Sequence, residues 1–207
     1  MSEQLYRINE VFYSLQGEGA FTGSPAIFVR FSGCNLKCSF CDTDHGPKLE
    51  CNSYSLVDQC LKLCEGNPRD MIVVFTGGEP MLQLTEELLS RFQEVGFYRL
   101  HLETNGTIEL PFWMASYFTC ITVSPKDIPI HNSYLEEVCQ QRKPFKELKV
   151  VYQGQDLQQY EQLRPFFSVC WLQPCSMGNI PETIKVILNS HGKWRLSLQT
   201  QKILNVR

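Results

Sequence analysis

The chain has 207 residues, of which 43% are hydrophobic and 20% are charged, a composition typical of one ordinary globular domain rather than a disordered or fibrous chain. With a formal net charge of −3, the chain lacks the overall positive charge that is typical of nucleic-acid-binding proteins. The apolar runs are strand-sized, and the amino terminus lacks the charged and apolar parts of a secretory signal. We therefore expect a cytoplasmic protein with a single domain over residues 1–207 and with no nucleic-acid or membrane partner.

Strand and helix patterns alternate along the chain. Apolar, partly β-branched runs predict strands at 26–31, 72–75, 99–103, 120–123, 147–152 and 169–172. Helical periodicity predicts helices at 55–65, 82–95, 133–141, 156–166 and 181–190. Such alternation is typical of parallel strands joined by crossover helices, and six strands are too few for a closed eight-stranded barrel. The predicted fold class is α/β, an open partial (βα) barrel of about six parallel strands, with its chemistry where the strands end.

Three of the ten cysteines lie close together in the loop after the first predicted strand. Cys34, Cys38 and Cys41 have C-x3-C-x2-C spacing, so one loop can hold one inorganic centre. Three thiolates leave one iron of a [4Fe–4S] cube without a protein ligand, free for the amine and carboxylate of a methionine group. Together with His45 they also match a Cys3His zinc set, whereas inert packing is a poor explanation for three thiols on one loop.

A glycine-rich segment follows the second predicted strand and favours the cluster over zinc. Gly77 and Gly78 allow the backbone to approach a ligand closely, and their carbonyls can accept hydrogen bonds from an ammonium group. Glu79 adds a carboxylate that can pair with the same amine. A glycine pair alone is more often a turn, but a structural zinc site does not require this segment.

The cysteine spacing followed by Gly-Gly-Glu-Pro resembles the radical S-adenosylmethionine superfamily. This resemblance implies a [4Fe–4S] cluster on Cys34, Cys38 and Cys41, with S-adenosyl-L-methionine on the unique iron. One-electron reduction then releases a 5′-deoxyadenosyl radical that abstracts hydrogen from the substrate. Because the sequence has no second cysteine cluster to relay electrons, we expect an external flavodoxin or ferredoxin as the reductant.

Further segments narrow the resemblance to the 7-carboxy-7-deazaguanine synthase family. These segments are SLQGEG at 14–19, PAIFVRFSGCNLKCSFCDT at 25–43, TGGEP at 76–80, SPK at 124–126, LQP at 172–174 and the carboxyl end. The family converts 6-carboxy-5,6,7,8-tetrahydropterin to 7-carboxy-7-deazaguanine with loss of ammonia, towards queuosine and related 7-deazapurines. The resemblance implies hydrogen abstraction at C6, next to the substrate carboxylate, and a homodimer.

The resemblance also implies the site residues one by one. The implied substrate contacts are Leu15, Gln16, Gly17, Arg30, Thr76 and the carboxyl-terminal Arg207. The implied S-adenosylmethionine contacts are Phe40, Cys41, Asp42, Gly78, Glu79, Ser124, Pro125, Lys126, Gln173, Pro174, Cys175 and Ser176. Thr43 is the implied Mg²⁺ ligand, and substrate oxygens would complete a shell that one hydroxyl cannot fill. No side chain is implied as a catalytic acid or base.

Elementary chemistry supports some of these residues and leaves alternatives open for others. Arg30 lies in an otherwise apolar strand, where a guanidinium needs a partner and can bind a carboxylate bidentately. Gln16 offers both a donor and an acceptor to a pyrimidine edge. Ordinary loop roles remain open for Gln16 and Thr43, and a solvated loop position remains open for Lys126.

Two other functions remain open at this point. A glycyl-radical-activating enzyme shares the cysteine spacing and the Gly-Gly-Glu-Pro motif, and a non-enzymatic Cys3His zinc-binding module shares the loop. Segment 14–19, Arg30 and Thr43 favour a small-molecule substrate instead. Cys60 and Cys64 lie four residues apart on one predicted helix and are expected to pack in the core. Cys175 is the one other cysteine expected near the site, and neither His101 nor His131 is given a role.

Overall fold

The computed structural model describes residues 4–136 and 144–206, and within these ranges nine strands form one sheet. The strands are β1 (Tyr6–Leu15), β2 (Pro25–Phe31), β3 (Leu49–Cys51), β4 (Ile72–Gly77), β5 (Arg99–Thr104), β6 (Phe118–Val123), β7 (Phe145–Tyr152), β8 (Val169–Pro174) and β9 (Arg195–Leu196). The helices are α1 (Ser53–Leu63), α2 (Glu86–Glu94), α3 (Phe112–Ala115), α4 (Gln158–Glu161), α5 (Ile180–Asn189) and α6 (Thr200–Ile203).

The strand order is β3-β1-β2-β4-β5-β6-β7-β8-β9, and the sheet is not closed. Six strands from β2 to β8 pair in parallel, so the predicted α/β partial barrel is confirmed. The two-residue β9 adds a further parallel strand, which was too short to predict. Because each parallel strand enters from the same side, the carboxyl ends of these strands share one edge of the sheet.

The antiparallel strands β1 and β3 lie at one edge of the sheet and were not predicted. The pairing of β1 with β2 shifts in register between Ile8 and Glu10. Such a bulge interrupts the two-residue alternation by which a strand is recognised in sequence. The last two residues of β1, Ser14 and Leu15, are also the first two residues of the SLQGEG segment. This segment therefore begins in a strand rather than in a loop.

Several predicted helices begin or end elsewhere, because local caps and prolines decide their limits. The helix predicted at 82–95 begins at Glu86, where the Thr85 side chain accepts a hydrogen bond from the Leu88 amide. The helix predicted at 156–166 is only the single turn α4, followed by a 3₁₀ turn with Pro165 in its first turn. At 133–141, the described residues contain a 3₁₀ turn at Asn132–Tyr134, and 137–141 lie outside the described residues.

Alternation along the strands sends their side chains to two different faces. Val29 and Phe31 of β2 pack in the larger core, which also holds buried side chains of α1 and α2, whereas Arg30 between them faces a cavity. Thr76 of β4 and Glu103 of β5 lie on that same cavity face. No helix in the described ranges has the length and apolar character needed to cross a membrane.

Candidate active site

A cavity of about 480 Å³ lies over the strand ends, on the face opposite α1 and α2. It is lined by the predicted substrate residues Leu15, Gln16, Gly17, Arg30 and Thr76. It is also lined by the predicted cofactor and metal residues Cys34, Cys38, Phe40, Cys41, Asp42, Thr43, Gly78, Ser124, Lys126, Gln173, Pro174 and Cys175. The fold therefore brings residues from distant parts of the sequence to one site.

Three predicted residues lie outside the lining of this cavity, and a fourth lies outside the described residues. Glu79 is fully buried and Pro125 is buried. Ser176 is exposed, and its hydroxyl donates a 2.6 Å hydrogen bond to the Asn179 side chain. Arg207 lies outside the described residues. The predicted contacts of these four residues stay predictions.

The cysteine loop meets the glycine segment at very short range. The Glu79 amide donates to the Gly33 carbonyl at 3.0 Å. A Cβ atom on Gly78 would lie 1.9 Å from the Gly33 carbonyl oxygen and 3.1 Å from Cβ of Cys34. Glycine is therefore required at position 78 for the two loops to touch, in addition to the predicted approach to a ligand.

The three loop cysteines are free thiols that line one cavity. Among the side chains of the described residues, no three His, Cys, Asp or Glu groups gather closely enough to hold a metal ion. A zinc site needs its ligands about 2.0–2.3 Å from one ion. Cysteines that hold a [4Fe–4S] cube bind different irons, so their sulfurs need not meet at a point. Three thiols on one loop that line the same cavity are compatible with such a cluster.

Glu79 has a structural explanation that the sequence did not suggest. Its carboxylate accepts hydrogen bonds from the Met81 amide at 3.0 Å, the Thr104 hydroxyl at 2.8 Å and the Asn105 amide at 2.7 Å. Burial raises the pKa of this carboxyl, although these hydrogen bonds oppose the rise. Glu79 thus ties the glycine segment to the end of β5.

Glu103, a residue that sequence reasoning missed, is the centre of a polar network in the cavity. Its carboxylate accepts a 3.0 Å hydrogen bond from the side-chain amide of Gln16 and another of 3.0 Å from the Thr76 hydroxyl. Lys149 of β7 lies 4.0 Å from the same carboxylate. The available signal was an acidic residue at the end of a predicted buried strand, where site residues of parallel sheets are expected.

Lys149 joins this network to the SLQGEG loop. Its ammonium lies 2.5 Å from the Glu18 carboxylate, which also accepts hydrogen bonds from Gln199 at 3.0 Å and Gln201 at 3.2 Å. Burial tends to lower the pKa of Lys149, but the charges of Glu103 and Glu18 outweigh it and raise that pKa. Burial likewise tends to raise the pKa of Glu18, but Lys149 outweighs it, and the pKa is lowered.

Arg30 has the charged partner that its apolar strand required. Its Nε lies 2.8 Å from the Glu10 carboxylate, and its guanidinium lies 5.8 Å from the Phe12 ring centroid. Both partners belong to β1, the strand that was not predicted. The pair lines the cavity, while the predicted role of Arg30 towards a substrate carboxylate stays a prediction.

Lys126 lies in the cavity among the residues predicted to contact S-adenosylmethionine. Its ammonium donates to the Ser124 hydroxyl at 2.8 Å and lies 5.5 Å from the Phe40 ring centroid. Burial and the nearby Lys149 charge lower the pKa of Lys126. Gln173, at the end of β8, accepts a 3.1 Å hydrogen bond from Ser197, so the side chain of Gln173 is held in place.

The carboxyl-terminal segment lines the cavity and contacts two of the loops around it. The Thr200 amide and hydroxyl donate to the Gly17 carbonyl at 3.0 and 2.6 Å. Lys202 forms an ion pair with Asp42 of the cysteine loop. Gln199, Gln201 and Lys202 all line the cavity. The segment therefore connects the SLQGEG loop to the cysteine loop.

Comparisons with known proteins show which family the chain resembles. A model of the radical SAM superfamily matches residues 28–117. A 7-carboxy-7-deazaguanine synthase of Bacteroides thetaiotaomicron is 44% identical over 204 residues, which cover 97% of this chain and 98% of the relative. The chain belongs to the 7-carboxy-7-deazaguanine synthase family.

Two further relatives of this family support the assignment. The synthase of Burkholderia multivorans is 36% identical over 225 residues, covering 97% of this chain and 99% of the relative. The crystal structure of QueE from Escherichia coli aligns with a TM-score of 0.72 at 29% identity, covering 94% of this chain and 93% of that chain. This family membership favours the predicted synthase over the glycyl-radical-activating enzyme and the zinc-binding module.

Proposed function

We propose that the protein converts 6-carboxy-5,6,7,8-tetrahydropterin to 7-carboxy-7-deazaguanine with loss of ammonia. It is a radical SAM carbon–nitrogen lyase on the route to queuosine and related 7-deazapurines. One observation carries the proposal: a single cavity joins Cys34, Cys38 and Cys41 to Gln16 and Arg30, in a chain 44% identical to such a synthase over 97% of its length.

The cysteine loop and the strand ends would hold the cofactors. Cys34, Cys38 and Cys41 would hold a [4Fe–4S] cluster, and the backbone of Gly77 and Gly78 would receive the methionine amine. When bound, the cluster and S-adenosylmethionine supply a 5′-deoxyadenosyl radical by one-electron reduction. The metal-bound thiols would be deprotonated, since a metal ion removes the proton of a coordinating thiol outright.

The polar network would hold and orient the pterin. The Glu103 carboxylate can only accept hydrogen bonds, so it suits the N–H groups of an aminopyrimidinone edge. Gln16 and Thr76 already donate to this carboxylate, and Arg30 would bind the substrate carboxylate. A primary radical attacks any C–H bond within reach, so fixing C6 of the substrate is the main task of these residues.

The remaining parts of the proposal concern Mg²⁺ and the partners. Thr43 lines the cavity, and its hydroxyl donates to Asp42 at 3.3 Å, which supports a Mg²⁺ site completed by substrate oxygens. We propose an external flavodoxin or ferredoxin as reductant, a homodimer, and a cytoplasmic location, where a reducing environment keeps the thiols available. Arg207 is proposed as a further substrate contact.

The function is tested by anaerobic reconstitution with iron and sulfide, followed by turnover of carboxytetrahydropterin. We expect an EPR signal of a reduced [4Fe–4S] cluster that changes when S-adenosylmethionine is added, and formation of the deazaguanine product. Turnover should slow when a chelator removes Mg²⁺. A zinc-loaded protein without a cluster signal would refute the proposal, and turnover unaffected by the chelator would refute the role of Thr43.

The substitution Cys38→Ala should abolish both the cluster and cleavage of S-adenosylmethionine, because a thiolate ligand is lost. Cys51→Ala is a matched control, since Cys51 is also a partly buried free thiol but lies on β3, outside the cavity lining. Iron and sulfide analysis with the EPR spectrum measures the cluster. A cluster in the Cys38 variant equal to that in the control would contradict the ligand assignment.

A further inference from the structure

His45 contacts one of the three loop cysteines. Its Nε2 atom lies 3.2 Å from the sulfur of Cys41, and the imidazole lines the same cavity as the cysteines. Neither the family resemblance nor the proposed function uses this histidine. Its contact with a ligand sulfur raises the question of what the ring does there.

The backbone around His45 is fixed from several sides. The His45 carbonyl accepts a 3.0 Å hydrogen bond from the Gly33 amide, at the start of the cysteine loop. The next carbonyl, that of Gly46, accepts hydrogen bonds from the side-chain amide of Asn9 at 2.7 Å and from the Ser32 hydroxyl at 3.3 Å. The backbone that carries the ring beside Cys41 is thus fixed by hydrogen bonds from β1 and from the residues that follow β2.

The other ring nitrogen indicates which tautomer is present. Nδ1 of His45 is buried and has no hydrogen-bond partner among the described residues. A neutral imidazole carries its proton on one of its two nitrogens, and Nδ1 has no acceptor for an N–H group among the described residues. The proton is therefore favoured on Nε2, facing the sulfur. A metal-bound cysteine sulfur has no proton, so Nε2–H is the only donor in this contact.

We propose that His45 donates a hydrogen bond from Nε2 to the sulfur of Cys41 and thereby raises the reduction potential of the cluster. Reduction adds one electron to the cluster, and a donor at its sulfur stabilises that extra negative charge. His45 is a positioning residue that acts through Cys41 and leaves the unique iron open. This inference rests on the proposed function, because it requires the cluster on Cys34, Cys38 and Cys41.

The test compares His45→Phe, which keeps a ring without a donor, with His45→Gln, which keeps an N–H donor. His131→Phe is the matched control, because His131 is exposed and lies outside the cavity lining. Each protein is reconstituted anaerobically and titrated with dithionite and redox mediators, with the cluster followed by EPR. We expect the equilibrium constant for reduction to fall about tenfold in His45→Phe, equal to about 59 mV for one electron. His45→Gln and His131→Phe should stay near the wild type.

A second readout detects the nitrogen itself. In protein labelled with nitrogen-15 histidine, hyperfine spectroscopy should show one weakly coupled nitrogen, which is absent in His45→Phe. Loss of the cluster in His45→Phe with retention in His45→Gln would also support the proposal, since the donor separates the two variants. An unchanged midpoint in His45→Phe, a strongly coupled iron-bound nitrogen, or loss of the cluster in both variants would overturn it. A wild type that binds no cluster would instead refute the proposed function.

Discussion

Glu103 accepts hydrogen bonds from two of the residues proposed to bind the substrate. Gln16 and Thr76 each donate to a different oxygen of its carboxylate at 3.0 Å. These two donors fix the carboxylate plane, and Lys149 at 4.0 Å provides a compensating charge. The proposed pterin would then meet an acceptor that is already oriented, which reduces the cost of ordering the site on binding.

The substitution Glu103→Gln should weaken pterin binding, because it replaces one acceptor oxygen by a donor. Hydrogen bonds to charged groups contribute about 1.5–3 kcal/mol, so we expect the Kd to rise about 10–100-fold. The affinity for S-adenosylmethionine should stay the same. Anaerobic calorimetry measures both constants, and Glu50→Gln on the exposed part of β3 is the matched control. Equal pterin affinity in the two variants would contradict the proposed role.

Local patterns predicted some site residues, while others depended on contacts between distant segments. The cysteine spacing lies within one loop, so Cys34, Cys38 and Cys41 could be proposed without a fold. Glu103 and Lys149 belong to β5 and β7, which are separated in the sheet by β6, and only folding brings them together. The burial of Glu79 also depends on another element, since Thr104 and Asn105 supply its hydrogen bonds.

At the scale of elements, the end of β4 and the cysteine loop form one unit. The Gly78 amide donates to the Phe31 carbonyl at 3.2 Å, and the Glu79 amide donates to the Gly33 carbonyl at 3.0 Å. Gly77 is also close to this loop, because a Cβ there would lie 2.3 Å from the Phe31 carbonyl oxygen. The two glycines therefore set the distance between the proposed cluster loop and the proposed methionine site.

The substitution Gly78→Ala should separate these loops, since its Cβ would lie 1.9 Å from the Gly33 oxygen. Overpacking of this kind costs about 1–3 kcal/mol of stability, and the displaced loop should retain less iron. Gly178→Ala is the control, because its Cβ would meet nothing closer than 3.7 Å. Iron content after reconstitution and thermal unfolding are the measurements. An alanine tolerated equally at both positions would show that the loops do not need this contact.

The limits of elements were less predictable than their existence. Apolar runs sufficed for the parallel strands, because most residues of these strands are buried. The amphipathic pattern of α2 extended back to 82, although Thr85 caps the helix and Pro80–Leu82 forms a separate 3₁₀ turn. β1 escaped prediction because its bulge breaks the alternation, and with it the Glu10 partner of Arg30 was missed.

At the scale of the molecule, Lys149 links segments from both ends of the chain. It pairs with Glu18 near the amino terminus, and Gln199 and Gln201 near the carboxyl terminus donate to that same carboxylate. Lys149 also pairs with Glu103 of β5, which lies in the middle of the sheet. Removal of the one ammonium would leave two carboxylates close together, so this contact should affect unfolding of the whole protein.

The substitution Lys149→Met should lower the free energy of unfolding by about 3–5 kcal/mol, the cost of uncompensated buried charge. Lys185→Met, on the exposed side of α5, is the matched control. Denaturant unfolding measures both. The double variant Glu18→Gln/Lys149→Met should recover part of the loss, because one of the two unpaired charges is removed. An effect of Lys149→Met no larger than the control would contradict the link.

The pH dependence of this effect follows from the two pKa shifts. The pKa of Glu18 is lowered below its ordinary 4.5, so its contribution is present above that pH and is lost as the pH falls through the folded value. The pKa of Lys149 is raised above its ordinary 10.5, so its contribution is present below that pH and is lost as the pH rises through the folded value. The contribution of the pair to the stability of the wild type should therefore stay constant from about pH 6 to about pH 9. In Lys149→Met, burial is no longer opposed by Lys149 and raises the pKa of Glu18, so the difference in stability between the two proteins should shrink as the pH falls.

The fold class was predictable because each strand–helix unit is local in sequence, and the repetition of such units dictates a parallel sheet. The structure of the carboxyl-terminal segment was not predictable, because β9 and α6 are too short to have a periodic pattern. Their places depend on contacts with distant residues, as Lys202 shows with Asp42.

Both outermost strands of the sheet are very short, three residues in β3 and two in β9. Long unpaired backbone at a sheet margin invites strand addition by another chain and, with it, aggregation. In the described ranges this protein leaves little such backbone on either flank. Two copies that associate would therefore meet through side-chain surfaces rather than by extending the sheet.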